Sequence, residues 1–193
     1  MQGYYKLRKR ALEILNSYLP KGLYYHSVDH TLDVLKTCNK YIKRLDIPAE
    51  DAKLLRIGAL THDIGFIVST QNHEEHGAAI TADLMISYGF GKKQIEVVKG
   101  LIMATKVPQS PKTELEKVLC DCDLDYLGRN DFYEIGNLLF KELKFFSVVK
   151  TKSEWDRLQI GFLEKHHFHT EFAIKNRQPK KEKRIAELRL LKS

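Results

Sequence analysis

Residues 60–66 read Leu60-Thr61-His62-Asp63-Ile64-Gly65-Phe66, LTHDIGF, at the end of the apolar run AKLLRIGAL that begins at Ala52. Upstream, Ile47-Pro48 marks a stop, and Pro48-Ala49-Glu50-Asp51 is a helix start with acids in its first turn. The spacing predicts a helix that runs to about Asp63 and closes at Gly65 as a left-handed terminator. That helix carries a histidine and an aspartate side by side at its end. Such a pair either caps a helix or holds a metal ion, and neighbouring segments decide between the two.

Helical periodicity dominates on both sides. Leu7, Ala11, Ile14, Leu15 and Tyr18 form one stripe in residues 4–18; Val28, Leu32, Leu35, Tyr41, Ile42 and Leu45 form another in residues 28–45. Further helices are expected over 73–88, 92–105, 113–127, 131–146, 153–175 and 180–192. They are separated by Gly89 and Gly91, by VPQSP at 107–111, and by Gly128. The β-like runs Phe66–Ser69 and Phe145–Val149 have no hairpin turn or partner at sheet spacing. The expected fold is all-α: a single compact helical bundle over residues 1–175, followed by a basic C-terminal helix or tail at 176–193.

At 193 residues the chain is long enough for one domain with a sizeable core, and 43% hydrophobic with 30% charged residues is ordinary for a globular protein. The net charge of +7 sits at the ends. Residues 175–193 carry a net +6 and residues 1–10 a net +4, which leaves the body between them at −3. That distribution argues for solvated basic ends and against a nucleic-acid-binding face. No apolar run reaches the ~20 residues of a membrane span. The N-terminus has no apolar stretch before a small-residue cleavage site. Cys38, Cys120 and Cys122 lack zinc-finger spacing and read as reduced thiols, so a cytoplasmic location is expected.

The chemistry-bearing residues gather at the helix ends. His26 and His30 are four apart, on one helix face. His62 and Asp63 follow, then His73 and His76, then Asp121, Asp123 and Asp125 in LCDCDLDYLG. Imidazole and carboxylate from separate helices suit a divalent cation (Mn, Fe, Ni, Co, Zn or Mg) held within a bundle. His166, His167 and His169 have no carboxylate or cysteine at ligand spacing and are expected to be structural or surface residues.

In this order, H-T-x-x-V (30–34), H-D-I-G (62–65) and D-x-D-L-D-x-L-G (121–128) resemble the HD-domain metal-dependent phosphohydrolase superfamily, over about residues 24–130. The resemblance implies metal ligation by His30, His62 and Asp63, with Asp123 completing the site and Asp125 or Asp121 as alternatives. YHSVDHTLDV (25–34) is similar to a segment of cyclic nucleotide phosphodiesterases, which implies His26 as general acid. Ser27 departs there from the family's Asn. HEEHGA (73–78) resembles the H-P-x-x-G-A segment of the HD-GYP branch, which implies a second divalent ion at His73. A later histidine is missing from GLIMATKVP, and no GYP triplet follows, which argues against cyclic di-GMP hydrolysis.

The implied activity is hydrolysis of a phosphate ester or anhydride, on a small phosphorylated substrate of the nucleotide class. Asp63 and His26 would carry the catalysis, and Lys106 and Arg129 are candidate phosphate contacts. A metal-containing nucleotide sensor with little turnover is one competing reading. An RNA- or membrane-associated adaptor using the basic C-terminus is the other.

Overall fold

A computed structural model of the chain describes residues 2–190, and the last residues of the expected basic tail, 191–193, lie outside that range. Among the described residues there are ten α-helices, two short 3-10 turns and no strand. The all-α expectation therefore holds. None of these helices is long and apolar enough to cross a membrane.

Contacts divide the chain into two compact units. The first comprises residues up to Lys21 and His26–Asp123. It holds α1 (Gln2–Tyr18), α2 (Val28–Arg44), α3 (Ala49–Thr61), the 3-10 turn Ile64–Ile67, α4 (His73–Ser87), α5 (Lys92–Ala104) and α6 (Glu114–Asp123). From Leu54 onward α3 is buried on nearly every side, as its continuous apolar run requires, apart from Arg56. It packs against α1, α2, α5 and α6 and is the central helix of this unit. From α1, Ala11, Ile14 and Leu15 form a core cluster with Ile64, the isoleucine of the HDIG motif. That packing anchors the turn just past His62 and Asp63. The predicted stripe of α1 overshoots at Tyr18, which is 63% exposed.

Gly65 is a glycine for a different reason from the one expected. It does not adopt positive φ. Instead, a Cβ there would stand 1.8 Å from the His73 carbonyl oxygen and 2.6 Å from the Gly77 nitrogen. Gly77 is the matching small residue on α4, so the turn and the first turns of α4 pack backbone against backbone.

The second unit comprises Gly22–Tyr25 and Leu124 onward. It holds the 3-10 turn Asp125–Gly128, α7 (Phe132–Phe145), α8 (Lys152–Lys165), α9 (Glu171–Asn176) and α10 (Gln178–Leu190). The single helix expected over 153–175 is in fact two. His166 leaves α8 in an extended conformation, and Thr170 starts α9 by accepting from the Ala173 N–H at 3.2 Å. No glycine or proline forces this break. Burial does: Phe168 and His166 are turned into the unit, and the buried Lys181 amine donates to the His166 carbonyl. Likewise the helix expected over 113–127 ends at Asp123, and the chain continues as a 3-10 turn.

Asp125 is 1% exposed and accepts from Arg177 Nε at 2.7 Å, with Arg129 Nη1 3.8 Å away. Removing Arg177 leaves a buried carboxylate with the more distant cation. Arg177→Met is expected to cost about 2 kcal/mol, less than the ~3–5 kcal/mol for a buried charge stripped of its partner. Chemical denaturation measures it, and a variant as stable as the parent would contradict this account of the turn.

Candidate metal centre

Four side chains from three helix ends of the first unit converge. His30 lies in the first turn of α2, whose start is fixed by Ser27: its hydroxyl accepts from the His30 N–H at 3.3 Å. A serine can cap a helix as an asparagine does, so the departure at this position keeps the local structure. His62 and Asp63 follow the last turn of α3, and Asp123 ends α6.

His30 Nε2 lies 3.2 Å from His62 Nε2 and 3.1 Å from Asp123 Oδ1. His62 Nε2 lies 3.1 Å from Asp63 Oδ2 and 3.5 Å from Asp123 Oδ1, and Asp63 Oδ2 is 3.5 Å from His30 Nε2. The donor atoms of His30, His62 and Asp123 are all within 4.8 Å of one another.

These atoms fit a cation in two respects. Ligands at about 2.1 Å from one ion, at tetrahedral or octahedral angles, stand roughly 3.0–3.4 Å apart, close to the spacings found. His62 Nδ1 also faces the Ala59 carbonyl at 3.1 Å, so in the neutral ring Nδ1–H donates there and Nε2 turns its lone pair inward. A second partner of this kind orients the ligand and makes it more basic.

The electrostatics agree. Burial raises the Asp63 and Asp123 carboxyls, but the facing histidines outweigh it and hold both well below the usual carboxylate range. Burial lowers the His62 imidazole, yet Asp63 and Asp123 outweigh it and hold it well above an ordinary histidine. Two ionised carboxylates, nearly sealed from water, require positive charge among them.

The two oxygens of Asp63 face different ways. Oδ2 faces His30 and His62; Oδ1 stands 3.7 Å from His73 Nε2. His73 opens α4, and its Nε2 is 3.4 Å from Glu74 Oε1. Burial, set against the pull of Asp63 and Glu74, lowers the His73 pKa. Glu74 is 6% exposed and was not singled out in the sequence, where its only signal is its place next to His73. Phe66 was also missed. Its ring stacks on His73 at 3.9 Å and on His26 at 4.4 Å, so it braces both imidazoles. The His26 ring lies 6.2 Å from that of His30 and 6.1 Å from that of His73.

The other candidates are placed elsewhere. Asp121 is fully buried and outside the converging group. Asp125 belongs to the second unit and is held by Arg177. Lys106, just past α5, is ion-paired with Glu75 on the first turn of α4. Arg129 grips Asp131 with two 2.9 Å bonds in the second unit. His166 packs against Phe162 and Phe168, and His167 is exposed. The three cysteines are free and buried, and burial pushes the Cys120 thiol well up, in keeping with reduced structural thiols.

Nothing among curated proteins matches the chain. A family model, the HD domain, matches residues 27–125, just over half of it. The match opens at the serine that caps the His30 helix and closes just beyond Asp123, so it brackets all four converging side chains: the chain belongs to the HD-domain family.

Proposed function

We propose that this protein is a metal-dependent phosphohydrolase that cleaves a phosphate ester or anhydride of a small substrate of the nucleotide class. The observation that carries the reading is the convergence of His30, His62, Asp63 and Asp123 with the His26 imidazole one helical turn before His30. Those four side chains would hold one divalent ion. Asp63 Oδ1, His73 and Glu74 would hold a second, with Asp63 bridging. When bound, such an ion supplies water of lowered pKa and polarises a phosphoryl oxygen.

The remaining work falls to the chain. His26, ahead of α2 and partly exposed, would carry a proton to the departing oxygen. Phe66 restricts its ring to one plane and keeps water from that side of the imidazole. Lys106 stays in the scheme as an anion contact: its partner Glu75 is exposed, and a substrate phosphate can exchange for it. Arg129 does not, because its guanidinium is committed to Asp131 and Asp125. The chemistry of the site and the reduced thiols accord with a cytoplasmic enzyme.

The test is metal analysis of the purified protein, followed by a panel of phosphate esters assayed with Mn, Fe, Co, Ni, Mg and Zn. Metal-dependent release of phosphate that EDTA abolishes is the expected result. His26→Ala should retain its metal and lose about 10²-fold in kcat, the lower end for a general acid. It should lose less on substrates whose leaving group needs no proton. Bound metal with ligand affinity but no turnover on any ester would instead favour the sensor reading, and hydrolysis unaffected by His62→Ala would overturn the site.

A further inference from the structure

The first unit has an open cleft away from the converging histidines. It measures about 790 Å³ and lies between α1, the C-terminal half of α2 and the start of α3. Its floor is apolar, with Leu35, Ile42, Ile47 and Ala52, and its rim is cationic, with Arg8, Arg56 and Lys53. Glu50 is the one acid in the lining, and it is taken up by Lys53 at 2.6 Å.

Arg8 and Arg56 have no carboxylate partner among the described residues. Arg56 is nonetheless fixed. Its Nε donates to Asn39 Oδ1 at 2.7 Å, and Asn39 is itself tied down, donating from Nδ2 to the Leu35 carbonyl at 3.0 Å. This brace uses the inner edge of the guanidinium and leaves its two terminal nitrogens for another acceptor. Arg8 and Arg56, neither with a carboxylate partner among the described residues, line the cleft together with Tyr4, and Tyr5 stands edge-on to the Tyr4 ring at 5.5 Å.

Two cationic side chains on the rim of one apolar cleft offer an anion a common partner. A phosphate between the guanidinium groups satisfies the charge. The apolar floor and the tyrosines then suit a flat ring attached to it. We propose that this cleft is a second binding site, specific for a nucleoside phosphate. It also gives a use to the basic N-terminal segment, which the composition alone assigns to solvent.

The site is separate from the metal centre. Asn39 is nine residues along α2 from His30, about 14 Å at ~1.5 Å per residue, and Arg56 is six residues, about 9 Å, along α3 from His62. Both helices nonetheless run from the cleft to a converging histidine.

Fluorescence titration with N-methylanthraniloyl-ADP in EDTA, on the full chain, tests the proposal. Binding should persist in Asp123→Ala, where the metal centre is dismantled. It should weaken at least about tenfold in the Arg8→Gln/Arg56→Gln double variant, whose changes are at the surface. Asn39→Ala, which only unbraces Arg56, should weaken it by a smaller factor. Unlabelled ADP should displace the probe at far lower concentration than inorganic phosphate or adenosine. Unchanged affinity in the double variant, or binding lost in Asp123→Ala alone, overturns the site. Displacement by inorganic phosphate as effective as by ADP overturns its specificity for the ring.

Discussion

Asp63→Asn is expected to reduce the proposed phosphohydrolysis by at least about 10³-fold, some 4 kcal/mol of barrier, and to abolish metal binding at the proposed centre. The change keeps the size and shape of the side chain and removes only its charge. It also turns an amide toward groups that face a carboxylate: His62 Nε2 at 3.1 Å on one oxygen and His73 Nε2 at 3.7 Å on the other. Asp63 is the single group in the cluster with an oxygen on each side, so its loss affects both proposed ion positions. Asp123→Asn touches His30 and His62 only, and His73→Ala only the other side. Each is expected to cost less than Asp63→Asn, with metal content falling by part. Circular dichroism spectra matching the parent would exclude misfolding as the cause. Activity within tenfold of the parent in Asp63→Asn, with metal still bound, would remove this residue from the centre of the scheme.

The LTHDIGF segment was legible because its signals are local. An apolar run interrupted by only two basic residues must be buried on most sides, and α3 is; the polar pair directly after it, His62 and Asp63, is buried with it. The order of histidines and aspartates along the chain pointed to one site, and His30, His62, Asp63 and Asp123 do lie together. Which aspartate of 121, 123 and 125 faces the imidazoles was not legible. It depends on where α6 ends, and the helix stops at Asp123 where periodicity runs on. The break at 166–170 was hidden for a related reason. HHFHT contains no breaker, and the helix yields there to tertiary contacts of Phe168 and Lys181 that have no local signature. The Arg8–Arg56 cleft is built from residues 48 positions apart in sequence, and periodicity says nothing about such pairs.

Glycine 65 is where the fold and the site depend on a single hydrogen atom. Alanine there is expected to destabilise the protein by at least about 3 kcal/mol, the upper part of the range for overpacking, or roughly 6–12 °C in Tm. The methyl group would meet the His73 carbonyl oxygen at 1.8 Å and the Gly77 nitrogen at 2.6 Å, and both are backbone atoms that no rotamer change can move. Relief requires α4 to back away from the turn, which carries His73 away from Asp63 and Phe66.

Two other glycine substitutions calibrate the effect. At Gly77 the closest atom is at 3.4 Å, so Gly77→Ala needs only a small adjustment and should cost much less. At Gly161, within α8, a Cβ meets nothing within 4 Å. Gly161→Ala should therefore stabilise the protein by up to about 1 kcal/mol, through helix propensity alone. Thermal and denaturant unfolding of the three variants should rank them Gly161→Ala, Gly77→Ala, Gly65→Ala from most to least stable. Should Gly65→Ala unfold within a degree or two of the parent, the turn and α4 cannot be packed backbone to backbone. The same variant should lose binding at the proposed second-ion position more than binding by His30, His62 and Asp123, because the displaced helix carries His73 and Glu74 and none of those three.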